Sequence, residues 1–200
     1  AAVFVVGQRD FKRMLAYSSV EQMGILALGV GIGGGAVFGA LLHMINNGLT
    51  KGVLFLSAGN IHRSFDAKTT DEVQGAMRRL PLSGTLFLLG FLAITGSPPF
   101  GPFISEFTIL NGAFSAGRFL IGAAFLFLLL VVFIGMGRTV LTVVQGRPPA
   151  RARRTAYRDG WLTGLPVAAA FALVLMLGVY IPMPLNTLLH RAASFLEIHP

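Results

Sequence analysis

An apolar segment covering about residues 34–61 carries a lysine, Lys51, far from both of its ends. A lysine near the middle of a bilayer costs about 2.5–3.5 kcal/mol on insertion scales. A residue that expensive is expected to face a protein interior or a water-filled path. Snorkelling serves lysines near helix ends, but here ten residues of the segment follow Lys51 and more precede it. His43 and Asn47 precede it by eight and four positions. Four residues turn a helix only ~40° past a full circle, so the three side chains share one stripe about 12 Å long. That stripe holds a titratable ring, an amide and a titratable amine.

The remaining chain fits the same environment. Of 200 residues, 54% are apolar and 12% charged, with a mean hydropathy of +0.72. Several runs are long enough to cross ~30 Å of hydrocarbon. The net charge of +8 sits between those runs, which points to membrane topology rather than to nucleic acid. There are no cysteines, which excludes disulfides and cysteine-ligated clusters on this chain. The four histidines lack metal-ligand spacing. No metal or cofactor is expected, and any redox centre belongs to another polypeptide.

Residues 1–7 read as the end of a preceding helix, and the sequence is expected to be N-terminally incomplete. Five spans follow, at about 14–33, 34–61, 82–114, 119–137 and 161–181. The first contains Glu21. Gly29 and Gly33, then Gly35 and Gly39, have the small-residue spacing that lets helices approach closely, and Gly33-Gly34-Gly35 ends the first span. The third span is interrupted by Gly96-Ser97-Pro98-Pro99-Phe100-Gly101-Pro102. Its prolines lack the N–H groups that would bond the carbonyls of Ile94, Thr95 and Pro98. Free carbonyls at membrane depth are tolerated only against protein or a wet cavity. Glu106 follows the break by four residues. The expectation is a discontinuous helix with a buried carboxylate beside it; the competing reading is an ordinary loop.

Trp161 and Tyr180 flank the last span as an aromatic belt would. In residues 182–200, Leu185, Leu188, Leu189, Ala192, Phe195 and Leu196 fall within about 120° of a helical wheel. This predicts an amphipathic helix over 185–197, with Leu188, Leu189, Phe195 and Leu196 on one buried face, lying on the membrane surface. A tail packed on its own bundle is the equal alternative. Alternate connections place thirteen of the sixteen basic residues on one side and only Arg118 and Arg191 on the other, with Lys51 inside. By the positive-inside rule the basic side is cytoplasmic and the C-terminus lies outside.

Asp10-Phe11-Lys12-Arg13-Met14-Leu15-Ala16-Tyr17-Ser18-Ser19-Val20-Glu21-Gln22-Met23-Gly24 resembles a signature of the antiporter-like membrane subunits. These belong to respiratory complex I, multisubunit cation/proton antiporters and group-4 nickel–iron hydrogenases. The match continues through His43…Lys51-Gly52-Val53-Leu54-Phe55 and Gly96-Ser97-Pro98-Pro99…Glu106-Phe107, and the form is most similar to hydrogenase-4 component F. The resemblance implies an all-α membrane fold of about fourteen spans built from two inverted repeats. This chain would be its last five, two of them broken or discontinuous, with 8–181 inside the membrane domain and 182–200 as a periplasmic tail. It further implies that Lys51 is the central lysine of a proton path on a broken helix, that His43 precedes it by two turns, and that Glu106 is the charged residue of the second broken helix. Asn47 stands where some members have a second histidine.

These readings lead to a proton-translocating, non-catalytic subunit of a redox-driven complex in the bacterial cytoplasmic membrane. Water is expected to link His43 to Lys51 and Lys51 to Glu106, with Glu21 on the same path. Partners would be other membrane subunits, a peripheral redox arm, lipid, and protons or sodium; nucleic acid is not among them. A sodium/proton antiporter subunit is the first rival. A structural anchor, with Lys51 and Glu106 as a buried ion pair, is the second.

Overall fold

The computed structural model describes residues 1–147 and 155–198, with side chains described through residue 196. Its described residues form helices joined by short connections. They are α1 (Ala2–Val5), α2 (Phe11–Ile32), α3 (Gly35–Phe65), α4 (Ala76–Arg79), α5 (Pro81–Ile94), α6 (Gly101–Ser115), α7 (Phe119–Gln145), α8 (Trp161–Val179) and α9 (Met183–Ile198). By length and composition α2, α7 and α8 can each cross a membrane, and α5 is a shorter apolar helix. At 1.5 Å per residue α3 is about 46 Å long, so length does not limit it. Its internal row of polar side chains lowers its hydropathy.

Helix α3 is the axis of the bundle and touches α2, α5, α6, α8 and α9. The expected break near Lys51 is absent: α3 is continuous from Gly35–Phe65. No proline lies inside it, and the Thr50 hydroxyl donates to the Asn46 carbonyl at 2.7 Å without opening the ladder. The expected break in the third span is present, between α5 and α6. Pro98 and Pro99, joined by a cis peptide, lie inside it. Gly101 and Pro102 do not; they open α6, because a first helical turn needs no proline N–H.

Close approach between α2, α3 and α6 depends on small residues. A Cβ at Gly29 would lie 2.8 Å from that of Ala40, and one at Gly39 would lie 2.9 Å from the Ile109 side chain. Gly33 and Gly35, paired with them by spacing, face open space. Gly33 and Gly34 instead make the turn, with φ of +80° and +56°.

One end of the bundle gathers the basic connections. Asp10 caps α2 by accepting from the backbone N–H of Lys12 and Arg13 at 2.9 and 3.1 Å. Its carboxylate also meets Lys68 at 3.3 Å, and the Phe11 N–H donates to the Lys68 carbonyl. Arg79 donates to Ser64 at 2.6 Å and to the Thr155 carbonyl. Arg158 donates to the Arg79 carbonyl. Arg118 lies at the other end, donating to the Gly31 carbonyl at 3.2 Å. Arg138 is inside α7, which extends past the expected end of that span. Arg151, Arg153 and Arg154 lie outside the described residues.

The tail is helical as expected, and only part of its apolar arc is buried against the bundle. Leu189 and Ala193 are buried, and His190 stacks on Phe38 with ring centroids 4.3 Å apart. Leu188 and Phe195 are 63% and 65% exposed, and Leu196 is exposed as well. Helix α9 leans on α3 along one flank of its apolar arc, leaving the other flank outward.

Candidate functional site

Three helices converge on the stripe. Helix α2 contributes Ser18, Glu21 and Gln22, α3 contributes His43, Asn46, Asn47 and Lys51, and α6 contributes Ser105 and Glu106. Ser18 and Gln22 lie one turn apart on α2, as do Asn47 and Lys51 on α3, so each helix presents a polar line to the other. His43 is fully buried, Glu106 is 5% exposed and Lys51 is 8% exposed.

Lys51 reaches across to α2. Its Nζ donates to the Leu15 carbonyl at 3.1 Å and to the Ser18 hydroxyl. The Ser18 hydroxyl also lies 3.0 Å from that carbonyl. These neutral oxygens accommodate the amine whether or not it carries its extra proton. Among the described residues Lys51 has no carboxylate within salt-bridge distance. Glu21 lies within electrostatic reach of Lys51 and also of Glu106.

His43 is held at both ring nitrogens. Nε2 is 2.7 Å from the Gln22 amide oxygen and Nδ1 is 3.0 Å from the Ser105 hydroxyl. The Gln22 amide nitrogen donates to Glu21 at 2.9 Å and to the Ile94 carbonyl at 3.3 Å. That carbonyl is one of those freed by the missing proline N–H, and Gln22 from α2 supplies the replacement donor.

Glu106 lies against the break. A Cβ at Gly96 would strike its carboxylate, so glycine at φ +67° leaves it room. Glu106 Oε1, Asn46 Oδ1 and Asn47 Oδ1 are buried without a protein hydrogen-bond partner among the described residues. Such atoms are candidates for ordered water, since buried polar groups are seldom left unsatisfied.

Of the five polar residues singled out from sequence, His43, Asn47, Lys51 and Glu106 are buried along the α3 stripe and its α6 neighbour, although not in direct contact, while Glu21 is half-buried on α2 and lines a groove with residues of α7. Lys51 and Glu106 do not bond each other. The missed residues are Ser18, Gln22, Asn46 and Ser105. The first two were visible as polar positions one turn apart within an apolar helix. Ser105 carried no signal of its own, because only the fold brings α6 against His43.

Residues 1–135 match the family described as NADH:quinone oxidoreductase/Mrp antiporter, transmembrane. The chain is 38% identical over 186 residues to a hydrogenase-4 component F homolog of Methylacidiphilum infernorum (isolate V4), covering 91% of this chain and 37% of that protein. The chain thus spans little more than a third of that relative. The fold matches the Mrp complex from Dietzia sp. DQ12-45-1b with a TM-score of 0.88 at 19% identity, covering 98% of this chain and 44% of that one. It matches the membrane-bound sulfane sulfur reductase, an archaeal respiratory membrane complex, with a TM-score of 0.84 at 26% identity, covering 98% and 39%. With these relatives the apolar helices read as those of a multi-pass membrane protein, and the chain belongs to the NADH:quinone oxidoreductase/Mrp antiporter transmembrane family.

Proposed function

We infer that the chain is part of a proton-translocating membrane subunit of a redox-driven complex, of the hydrogenase-4 or NADH–quinone oxidoreductase type. It would act with other membrane subunits and a peripheral redox arm in a bacterial cytoplasmic membrane. The observation that carries this reading is the buried polar interior between α2, α3 and α6. It holds an amine, an imidazole and the Glu106 carboxylate beside a helix break, with buried oxygens of Asn46, Asn47 and Glu106 left unsatisfied by protein among the described residues. Titratable groups buried in a membrane protein are expensive and mark ion or proton pathways. Lys51, His43 and Glu106 do not bond one another, and water would link them. Five spans, with the basic end cytoplasmic and the C-terminus outside, follow from the clustering of basic connections at one end. Residues 1–7 would end a preceding span, 8–181 would belong to the membrane domain, and α9 would be periplasmic. Asn47 would hold water on the path, and Glu21 would bias Lys51 from α2.

A sodium/proton antiporter is the second reading, favoured by the family's description, which includes the Mrp antiporter, and by the buried Glu106 carboxylate, since hard cations take oxygen ligands. The anchor reading needs a Lys51–Glu106 ion pair, and Lys51 instead donates to neutral oxygens of α2. The test is proton flux in vesicles at matched levels of assembled complex, with and without sodium. Loss of flux in Lys51→Ala supports translocation. Flux that requires sodium favours the antiporter, and wild-type flux in Lys51→Ala favours the anchor.

A further inference from the structure

We propose that Gln22 and Ser105 are positioning residues that make His43 a one-ended proton store, loaded and unloaded through Nδ1 by way of the Ser105 hydroxyl. The exchange step rests on the translocation reading above; the ring orientation does not.

The surroundings of Gln22 fix which nitrogen of His43 carries the permanent hydrogen. The Gln22 amide could in principle be turned either way. Its surroundings decide the matter. One end faces the Ile94 carbonyl at 3.3 Å, and a backbone carbonyl only accepts, so that end is the NH2 group. The same NH2 reaches the Glu21 carboxylate at 2.9 Å. The amide oxygen is therefore the end 2.7 Å from His43 Nε2. An amide oxygen also only accepts, so Nε2 must be the donor. Neutral His43 is then the Nε2–H tautomer, with a bare lone pair on Nδ1.

Ser105 Oγ is 3.0 Å from Nδ1 and fully buried. A hydroxyl has one hydrogen and two lone pairs, and rotates freely enough to choose. Its other neighbours are the Pro102 carbonyl at 2.9 Å, the Gly101 carbonyl at 3.4 Å and the Asn46 amide nitrogen at 3.5 Å. With neutral His43, the Ser105 O–H donates to Nδ1 and accepts from Asn46. With imidazolium, Nδ1–H donates to Oγ and the O–H turns to Pro102. Both states are satisfied, and the change between them is one hydroxyl rotation.

Gln22 cannot pass a proton onward, because its oxygen would have to accept one while its nitrogen gave one up. The hydrogen-bonded line Glu21–Gln22–His43 is continuous but insulating. The conducting contact is His43–Ser105. In the loading step Nδ1 forms a new N–H bond as the Ser105 O–H breaks, and water, as hydronium, returns a proton to Oγ. Unloading is the reverse, and no bond to carbon changes.

The test uses the protein in its native membranes, with 15N-labelled histidine and the His43→Gln variant as the blank that identifies the His43 signals. Solid-state NMR should show a protonated Nε2 and a bare Nδ1 in the neutral wild type. Gln22→Leu should give a mixture of tautomers. Ser105→Ala should keep the Nε2–H tautomer while proton flux falls roughly tenfold or more, and Ser105→Thr should restore most of the flux because it keeps the hydroxyl. A wild-type Nδ1–H tautomer would overturn the proposal. So would equal loss of flux in Ser105→Ala and Ser105→Thr at matched assembly, the sign of a packing role. If the tautomers behave as stated but Ser105→Ala and Lys51→Ala both pump like the wild type, the translocation reading fails and the exchange step with it, while the orientation by Gln22 stands.

Discussion

The Lys51 ammonium reaches the backbone carbonyl of Leu15, 3.1 Å away on the neighbouring helix. Leu15 and the Ser18 hydroxyl that completes the site are one turn apart on α2, so the amine docks on the surface of a helix rather than on a countercharge. A lysine held by neutral oxygens can lose its proton without leaving an unpaired buried anion. Lys51→Ala should therefore preserve assembly, because alanine is a good helix former and removes a costly buried amine. Flux should fall to roughly a tenth or less, as expected when a proton-transferring group is deleted. Lys51→Arg should not restore it, since guanidinium stays protonated at any accessible pH. Flux in vesicles against quantified complex checks all three.

Gly96 should tolerate no side chain. Its φ of +67° disfavours a Cβ, and the Cβ would also collide with the Glu106 carboxylate. Gly96→Ala is expected to cost about 1–3 kcal/mol from backbone strain alone, with a further cost from displacing Glu106. The measurement is thermal unfolding in detergent, with Gly117→Ala as the control. Gly117 has φ +71° but open space around it, so it isolates the backbone part.

Much of this is legible in the sequence. Long apolar runs, three prolines in five positions and the spacing of His43 from Lys51 each have one inexpensive structural solution, and the fold adopts it at the α5–α6 break and along the α3 stripe. Other features were not legible, for physical reasons. The break near Lys51 was expected from the resemblance alone, since residues 35–65 contain no proline that would interrupt the helix. The hydrogen-bond partners of His43 come from two other helices, at sequence separations of 21 and 62. Which part of the α9 arc meets protein was not legible, because an apolar arc shows which side avoids water, not which part of it packs on the bundle. Leu189 and Ala193 face α3 while Leu188 faces outward.

Glu106→Gln separates the two ion readings. The amide keeps the shape of the side chain but cannot titrate or carry a charge. If Glu106 exchanges protons, the substitution should reduce flux about as strongly as Lys51→Ala, with or without sodium. If Glu106 holds a sodium ion, the loss should appear mainly as a higher sodium requirement, because an amide oxygen is a weaker ligand than a carboxylate. A sodium titration of flux in both proteins distinguishes these outcomes.

Asp159 should matter for stability although it lies outside the core. Its carboxylate accepts from the backbone N–H groups of Leu82 and Ser83 at 2.9 and 3.1 Å, and from the Ser83 hydroxyl at 2.6 Å. It thus caps α5 from a connection more than seventy residues away, and no side chain at Leu80 does so. Asp159→Ala removes those acceptors at the positive end of the helix dipole, a loss of about 0.5–2 kcal/mol for a cap. Asp159→Asn keeps one oxygen acceptor and should recover about half of the loss. Thermal unfolding of the two variants in detergent checks this order.

The two ends of the bundle should face opposite sides of the membrane. Lys68 and Arg158 stand at the end where the basic connections interlock, and Arg118 stands at the other, bonded to the Gly31 carbonyl beside the glycine turn. The sequence contains no cysteine, so a single introduced thiol gives this chain one label site. Lys68→Cys and Arg118→Cys are surface changes in connections and should cost little stability. In right-side-out vesicles an impermeant maleimide should label Arg118→Cys and leave Lys68→Cys untouched; in inverted vesicles the pattern should reverse. A tag after Pro200 should be reached from the same side as Arg118→Cys, and one placed within residues 147–158 from the opposite side. Labelling of both cysteines from one side would mean an even number of crossings between them. The positive-inside assignment, and the five spans with it, would then be lost.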